Sequence, residues 1–129
     1  TCRSPMAEAI FNDMAEKNGI CVRAESFGIA TSTGLPVSEN SVIACKEIGI
    51  DLSGKASTAV ADAGIEKYEK FYCMSQSHAK MLMQFFLVQP EKIAVLGISD
   101  PYGGDIEVYR HCRDEIVNSV KEILKAYEN

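Results

Sequence analysis

The sequence has two histidines and no pair of cysteines at the spacing of a zinc knuckle or a redox CxxC, so neither a metal centre nor a dithiol couple is expected. It also lacks any apolar run approaching the roughly 20 residues needed to cross a bilayer, and no membrane span is expected. Its 13 basic residues are scattered and outnumbered by 18 acidic ones, giving a net charge of -5. Without a dense Lys/Arg stripe to neutralise a phosphate backbone, nucleic acid is not an expected partner. No internal repeat, low-complexity tract or linker divides the 129 residues, a length that suits one domain with one site. The cysteines, Cys2, Cys21, Cys45, Cys73 and Cys112, are odd in number and widely spaced, and read as reduced thiols. With no signal peptide in view, a cytoplasmic location is expected. Nothing calls for a cofactor.

What is present is an alternation. Met6, Ala7, Ile10, Phe11 and Met14 recur at helical spacing, which predicts a first helix over residues 5–17, with Ser4 as N-cap and Pro5 at its first position. Asn18-Gly19 stops it. Residues 20–26 read as a strand, 38–48 as a helix and 58–63 as a short helix. A buried strand is expected over 70–74, a helix over 76–86 and the clearest strand, KIAVL, over 92–96. The chain then turns through Asp100, Pro101, Gly103 and Gly104 into a long helix over 105–127. Along that helix Tyr109, Cys112, Ile116, Val120, Ile123, Leu124 and Tyr127 form one stripe. Such an order implies an α/β domain with a parallel sheet between helical layers. Because the pattern opens with a helix, in residues that read as a loop running into it, a strand is expected before Thr1.

The segment richest in chemistry is Thr1-Cys2-Arg3-Ser4-Pro5-Met6-Ala7-Glu8. It sets an arginine and a serine at a helix N-terminus, where unpaired N–H groups and the positive end of the dipole favour an anion and a guanidinium grips two oxygens at once. On their own, these residues describe a plain N-cap with a surface arginine better than a site. Asp100-Pro101 on its own is turn chemistry. His78 and His111 read as surface residues of helices, and Cys73 and Cys112 as buried, inert thiols.

Together the motifs are more specific. TCRSPMAEAIF resembles the second half of the phosphate loop of low-molecular-weight protein tyrosine phosphatases. Asp100-Pro101-Tyr102-Gly103-Gly104, with the helix that follows, resembles that family's acid loop and final helix. Ser26-Phe27-Gly28, Gly49-Ile50-Asp51 and Tyr72-Cys73-Met74 fall where the family has its Ser-Ala-Gly turn, a helix end and a strand ending in Met. The resemblance implies a three-layer α/β/α fold with a four-stranded parallel sheet of order 2-1-3-4. Residues 1–129 would then be a single phosphatase domain whose first strand and nucleophilic cysteine lie upstream, the cysteine four residues before Thr1. Cys2 matches the loop's second cysteine and does not take that role.

On this resemblance, Thr1, Cys2 and Arg3 belong to the phosphate loop, with Arg3 holding the phosphoryl oxygens. Ser4 supports the cysteine sulfur, Asp100 is the general acid and base, Pro101 stiffens its loop, and Tyr102 either lines the substrate slot or caps the turn. The implied reaction passes through a phosphocysteine on a phosphorylated protein substrate, with no metal or cofactor. One departure stands out, since Ser53-Gly54-Lys55 carries no histidine where family members often support the loop asparagine. Thr1, where tyrosine phosphatases usually have isoleucine, and the DPYGG loop resemble the bacterial protein arginine phosphatases, which leaves phosphotyrosine and phosphoarginine both open. An arsenate reductase is disfavoured, because only Cys73 lies where a resolving pair is needed and Pro5 replaces that group's glutamine. A catalytically dead, anion-binding module remains the alternative from another class.

Overall fold

The computed structural model of the chain describes residues 3–28, 34, 36–53 and 64–127. The elements run α1 (Arg3–Lys17), α2 (Glu39–Lys46), a 3-10 turn (Ile65–Lys67), β1 (Phe71–Cys73), α3 (Gln76–Phe85), a second 3-10 turn (Pro90–Lys92), β2 (Ile93–Val95) and α4 (Ile106–Lys125). This is the α/β class that the alternation implied. β1 and β2 pair in parallel, with Phe71 opposite Ile93, Tyr72 opposite Ala94 and Cys73 opposite Val95. No described helix is long and apolar enough to cross a membrane.

Among the described residues the sheet has two strands, where three were expected within this chain and a fourth ahead of Thr1. Residues 20–26 join no ladder, and the reason is spatial. Strands pair at about 4.8 Å, whereas here the backbone of residues 22–27 and β1 both line a cavity of about 450 Å³ instead of pairing. Phe11, Val22, Phe71, Tyr72, Leu96 and Val120 are among the side chains that line it. Backbone groups of the unladdered segment are met instead by α1. The Asn12 amide donates to the Ala24 carbonyl (3.0 Å), and its oxygen accepts from the Ala24 N–H (2.7 Å), as a neighbouring strand would do. Glu8 Oε1 accepts from both the N–H and the hydroxyl of Ser26.

The helices follow the sequence closely, with informative shifts at their ends. α1 begins at Arg3, so Ser4 and Pro5 lie inside its first turn instead of at the N-cap and first position. Proline is tolerated there because first-turn N–H groups have no intrahelical partner. Gly19 ends the helix in the left-handed region (φ +68°), and the Ile20 N–H donates to the Ala15 carbonyl. Asp105 caps α4 by accepting from the Val108 N–H, and Ser75 caps α3 by accepting from the His78 N–H. The helix expected over 58–63 lies outside the described residues.

Apolar side chains form two cores. Met6, Ile10 and Phe11 of α1 pack with Ala44 and Cys45 of α2, with Leu52, and with Cys112, Ile116, Val120 and Leu124 of α4. The second and smaller core joins Phe71 and Cys73 of β1 to Ala79 and Leu82 of α3. Phe27 and Tyr68 close it, with the Phe27 ring 5.7 Å from Tyr68 and 6.2 Å from Phe71. Each fully buried Leu, Ile, Phe or Met contributes about 1.5–3 kcal/mol, so the first core dominates.

Candidate active site

Three chain segments converge where the strands end. After β1 the Met74 carbonyl accepts from the Ile98 N–H (3.0 Å), which holds the exits of both strands together. The Ile98 carbonyl in turn accepts from Arg3 Nη1 at 2.6 Å. This bond joins residues 95 positions apart and pins the first turn of α1 to the exit of β2. The other terminal nitrogen of Arg3 lies 3.9 Å from Asp100 Oδ2. The two groups differ in exposure: the Arg3 side chain is 14% exposed and that of Asp100 is 59% exposed. A largely buried, tethered cation thus sits behind an open carboxylate.

The loop that carries Asp100 is built for rigidity. Asp100 Oδ1 accepts from the Tyr102 N–H at 3.0 Å, an Asx turn. Pro101 is fully buried, and its carbonyl accepts from the Gly104 N–H at 2.8 Å. Gly103 takes φ +82°, and a side chain on Gly104 would meet Val108 Cβ at 2.8 Å. Both glycines are therefore dictated by the turn into α4. Tyr102 itself is 80% exposed, so the turn holds its backbone while its ring stands at the surface.

Of the residues singled out in the sequence, the structure brings Arg3 and Asp100 together. Ser4 is half-buried one position along α1 and lines the end of the cavity, next to the site. Thr1 and Cys2 lie outside the described residues. The cavity is lined by Ser4 but by neither Arg3 nor Asp100. It occupies the gap beside β1, not the approach to the cation.

The sequence did not reveal two features of this region. One is the Ile98 carbonyl that tethers Arg3, since a backbone acceptor leaves no residue-type signal. The other is His78, read as a surface residue but half-buried in the first turn of α3. Burial, reinforced by the Arg3 charge and opposed by Asp100, holds its imidazole below the ordinary value of 6.5. His111, by contrast, is exposed and lies 3.2 Å from Glu115, as a surface residue should. Cys73 and Cys112 are buried, as read from the sequence, and burial raises the Cys73 thiol to about 11. Among the described residues no cluster of His, Cys, Asp and Glu has the makings of a metal site.

Chemically the arrangement offers a cation and first-turn N–H groups facing one region, with a solvent-accessible carboxylate at its rim. That combination binds an oxyanion and moves a proton beside it. Comparison with known proteins fits this chemistry, for residues 1–129 match low molecular weight phosphotyrosine protein phosphatases over the whole chain. The chain belongs to that family. A protein-arginine-phosphatase of Geobacillus stearothermophilus is 31% identical, over 97% of this chain and 88% of its own length. A second protein-arginine-phosphatase, from Bacillus subtilis, is 29% identical over 97% of this chain and 89% of its own length. Among solved structures, a low molecular weight protein tyrosine phosphatase from T. tengcongensis superposes with a TM-score of 0.92 at 30% identity, covering 98% of this chain and 92% of that one. Family membership thus rests on the whole length of the chain, not on the Arg3 segment alone.

Proposed function

We propose that the protein hydrolyses phosphorylated proteins through a phosphocysteine, with Arg3 as the phosphoryl clamp and Asp100 as the proton carrier. The observation that carries this reading is the tether of Arg3 to the Ile98 carbonyl, which fixes the guanidinium 3.9 Å from Asp100 and spares it from ordering on substrate arrival. A thiolate attacks phosphorus and the P–O or P–N bond to the leaving group breaks, with Asp100 giving that group its proton. Water then attacks the phosphocysteine, Asp100 takes the water's proton, and phosphate and the thiolate are released. Arg3 and the α1 N–H groups hold the charge on the phosphoryl oxygens through both steps. Ser4 donates a hydrogen bond to the departing sulfur, and Thr1 and Cys2 complete the loop. Tyr102, exposed at the rim, contacts the substrate side chain.

The thiolate belongs to a strand and loop that precede Thr1. Supporting this are the cavity beside β1, the unladdered residues 20–26 and the division of the core in two, all of which an added central strand would resolve. The reading also places the enzyme in the cytoplasm.

Phosphoarginine is the favoured substrate, supported by the names of the two arginine-phosphatase relatives and by Thr1 and the DPYGG loop. The similarity to a tyrosine phosphatase structure keeps phosphotyrosine as the second reading. With the full-length protein, Arg3→Ala is expected to lower kcat by about 10²–10³, the usual cost of removing one oxyanion donor. Thr1→Ile is expected to shift preference from phosphoarginine toward phosphotyrosine. Hydrolysis of both substrates unchanged by Arg3→Ala would end the phosphatase assignment for this site.

A further inference from the structure

Cys112 is a buried thiol to which the proposed reaction gives no role, and its contact points at the acid loop. It lies in the second turn of α4, 2% exposed, in the larger core with Tyr109 and Ile116. Its Sγ donates to the Ser99 carbonyl at 3.8 Å, a bond that ties α4 to the residue before Asp100. The backbone on either side is held by other groups. Before Ser99, the Ile98 N–H donates to the Met74 carbonyl and the Ile98 carbonyl accepts from Arg3. After Asp100, the Pro101 carbonyl accepts from the Gly104 N–H. Ser99 is the joint between these fastenings, and the thiol meets its carbonyl. A peptide unit is planar, so the Ser99 carbonyl and the Asp100 nitrogen and Cα move as one body. Holding that oxygen therefore fixes the root of the Asp100 side chain, which is 59% exposed and takes its direction from the backbone beneath it.

We propose that Cys112 is a positioning residue for proton transfer, its thiol setting the Ser99-Asp100 peptide so that the Asp100 carboxylate faces the leaving group of a phosphoryl substrate held by Arg3. The proposal rests on the reading of Asp100 as the proton carrier. A thiol is a weak donor. Here it is shielded from water, which removes the competing acceptor and strengthens its electrostatic pull on the carbonyl. A thiol also costs less to bury than a hydroxyl or an amide, which suits a helix face that otherwise presents Ile116, Val120 and Leu124 to the core. Cys112 neither touches the phosphoryl group nor gives up its proton. It acts through the backbone, by where it holds one oxygen.

Two aryl phosphates separate this role from a purely structural one in the full-length protein. The leaving group of p-nitrophenyl phosphate departs without a proton, whereas that of phenyl phosphate needs one, and kcat/KM reports the step in which it leaves. Cys112→Ala is expected to lower kcat/KM for phenyl phosphate about tenfold, a fraction of the roughly 10²–10⁴ that a well-placed acid supplies. For p-nitrophenyl phosphate the same variant is expected to stay within about twofold of the parent, and inorganic phosphate is expected to inhibit both proteins equally. Cys112→Ser, which keeps a donor, is expected to recover most of the lost rate, and Cys112→Val, which fills the space without one, is expected to behave as the alanine variant does. In an Asp100→Asn background, Cys112→Ala is expected to add no further dependence on the leaving group. Equal losses on the two substrates, or serine and valine variants with the same rates, would overturn the role of Cys112 and leave Asp100 as the acid. If Asp100→Asn itself slows both substrates alike, Asp100 is not the proton carrier and the inference falls with that reading.

Discussion

The two halves of the molecule are packed to different degrees. Where α1, α2 and α4 meet, fifteen buried residues form one continuous core. Around β1 and α3 the buried set shrinks to Phe71, Cys73, Ala79 and Leu82, with an aromatic trio along the border of a 450 Å³ cavity. Interiors normally pack at crystal-like density with few voids larger than a water molecule. A cavity of this size, beside a strand edge that pairs with no described residue, is a clear departure from that density. Stability therefore resides on the helical side, while the site hangs from strand exits on the more sparsely packed side and is fastened to the first by Arg3.

The largest expected contrast comes from truncating one side chain in each half. Ile116→Ala, at a site fully buried among α1, α2 and α4, is expected to cost about 2–5 kcal/mol in urea unfolding. Leu82→Ala, on the wall of the cavity, is expected to cost less, because the neighbours already tolerate empty space. Equal losses would mean that the cavity is filled in solution. Asn12→Ala probes the seam between the halves. It removes both bonds to the Ala24 backbone and is expected to cost about 1–3 kcal/mol by the same measurement. A neutral result would show that another group pairs with Ala24.

Alkaline pH addresses both halves at once. Cys45 lies in the larger core and Cys73 in the smaller, and burial pushes each thiol from 9.0 up to about 11. The unfolded thiols ionise first, so the folded state loses stability as pH rises from about 9 toward 11 and is unaffected by these groups below that window. Each is expected to contribute on the order of 1–2 kcal/mol at the upper end. Cys45→Ala and Cys73→Ala are expected to flatten the profile separately; an unaltered profile in either variant would mean that its thiol is open to water.

The smallest effect is expected at the surface of the packed half. Glu47 accepts from Arg110 and Arg113, and those guanidinium groups hold its carboxyl below the usual range. Arg113 also donates to the Ala44 carbonyl at the end of α2. Arg110→Ala leaves that second bond in place and is expected to change urea unfolding least of all these variants, with the difference falling further on adding salt. A larger loss would show that the network acts as one unit.

Much of this could be read from the residues. Four helices and two strands lie within about two residues of their expected limits, because apolar periodicity and the stop at Asn18-Gly19 are local signals. Arg3 and Asp100 were legible as a pair through two motifs far apart in the chain. His78 was not, since a lone histidine in a polar turn carries no mark of what will pack beside it. The same holds for Asn12, whose amide serves as a strand neighbour for Ala24 only after α1 lies across that segment.

By itself, the sequence determined the alternation of helix and strand, the anion-seeking start of α1 and the rigid turn around Asp100. These depend on residues near one another in the chain and on the intrinsic preferences of proline, glycine and the caps. The tertiary structure decided what crosses long separations: the Arg3 tether to Ile98, the approach of Arg3 to Asp100 and the cavity between two cores. Local propensity has no term for a backbone carbonyl 95 residues away, and only packing brings such groups within reach.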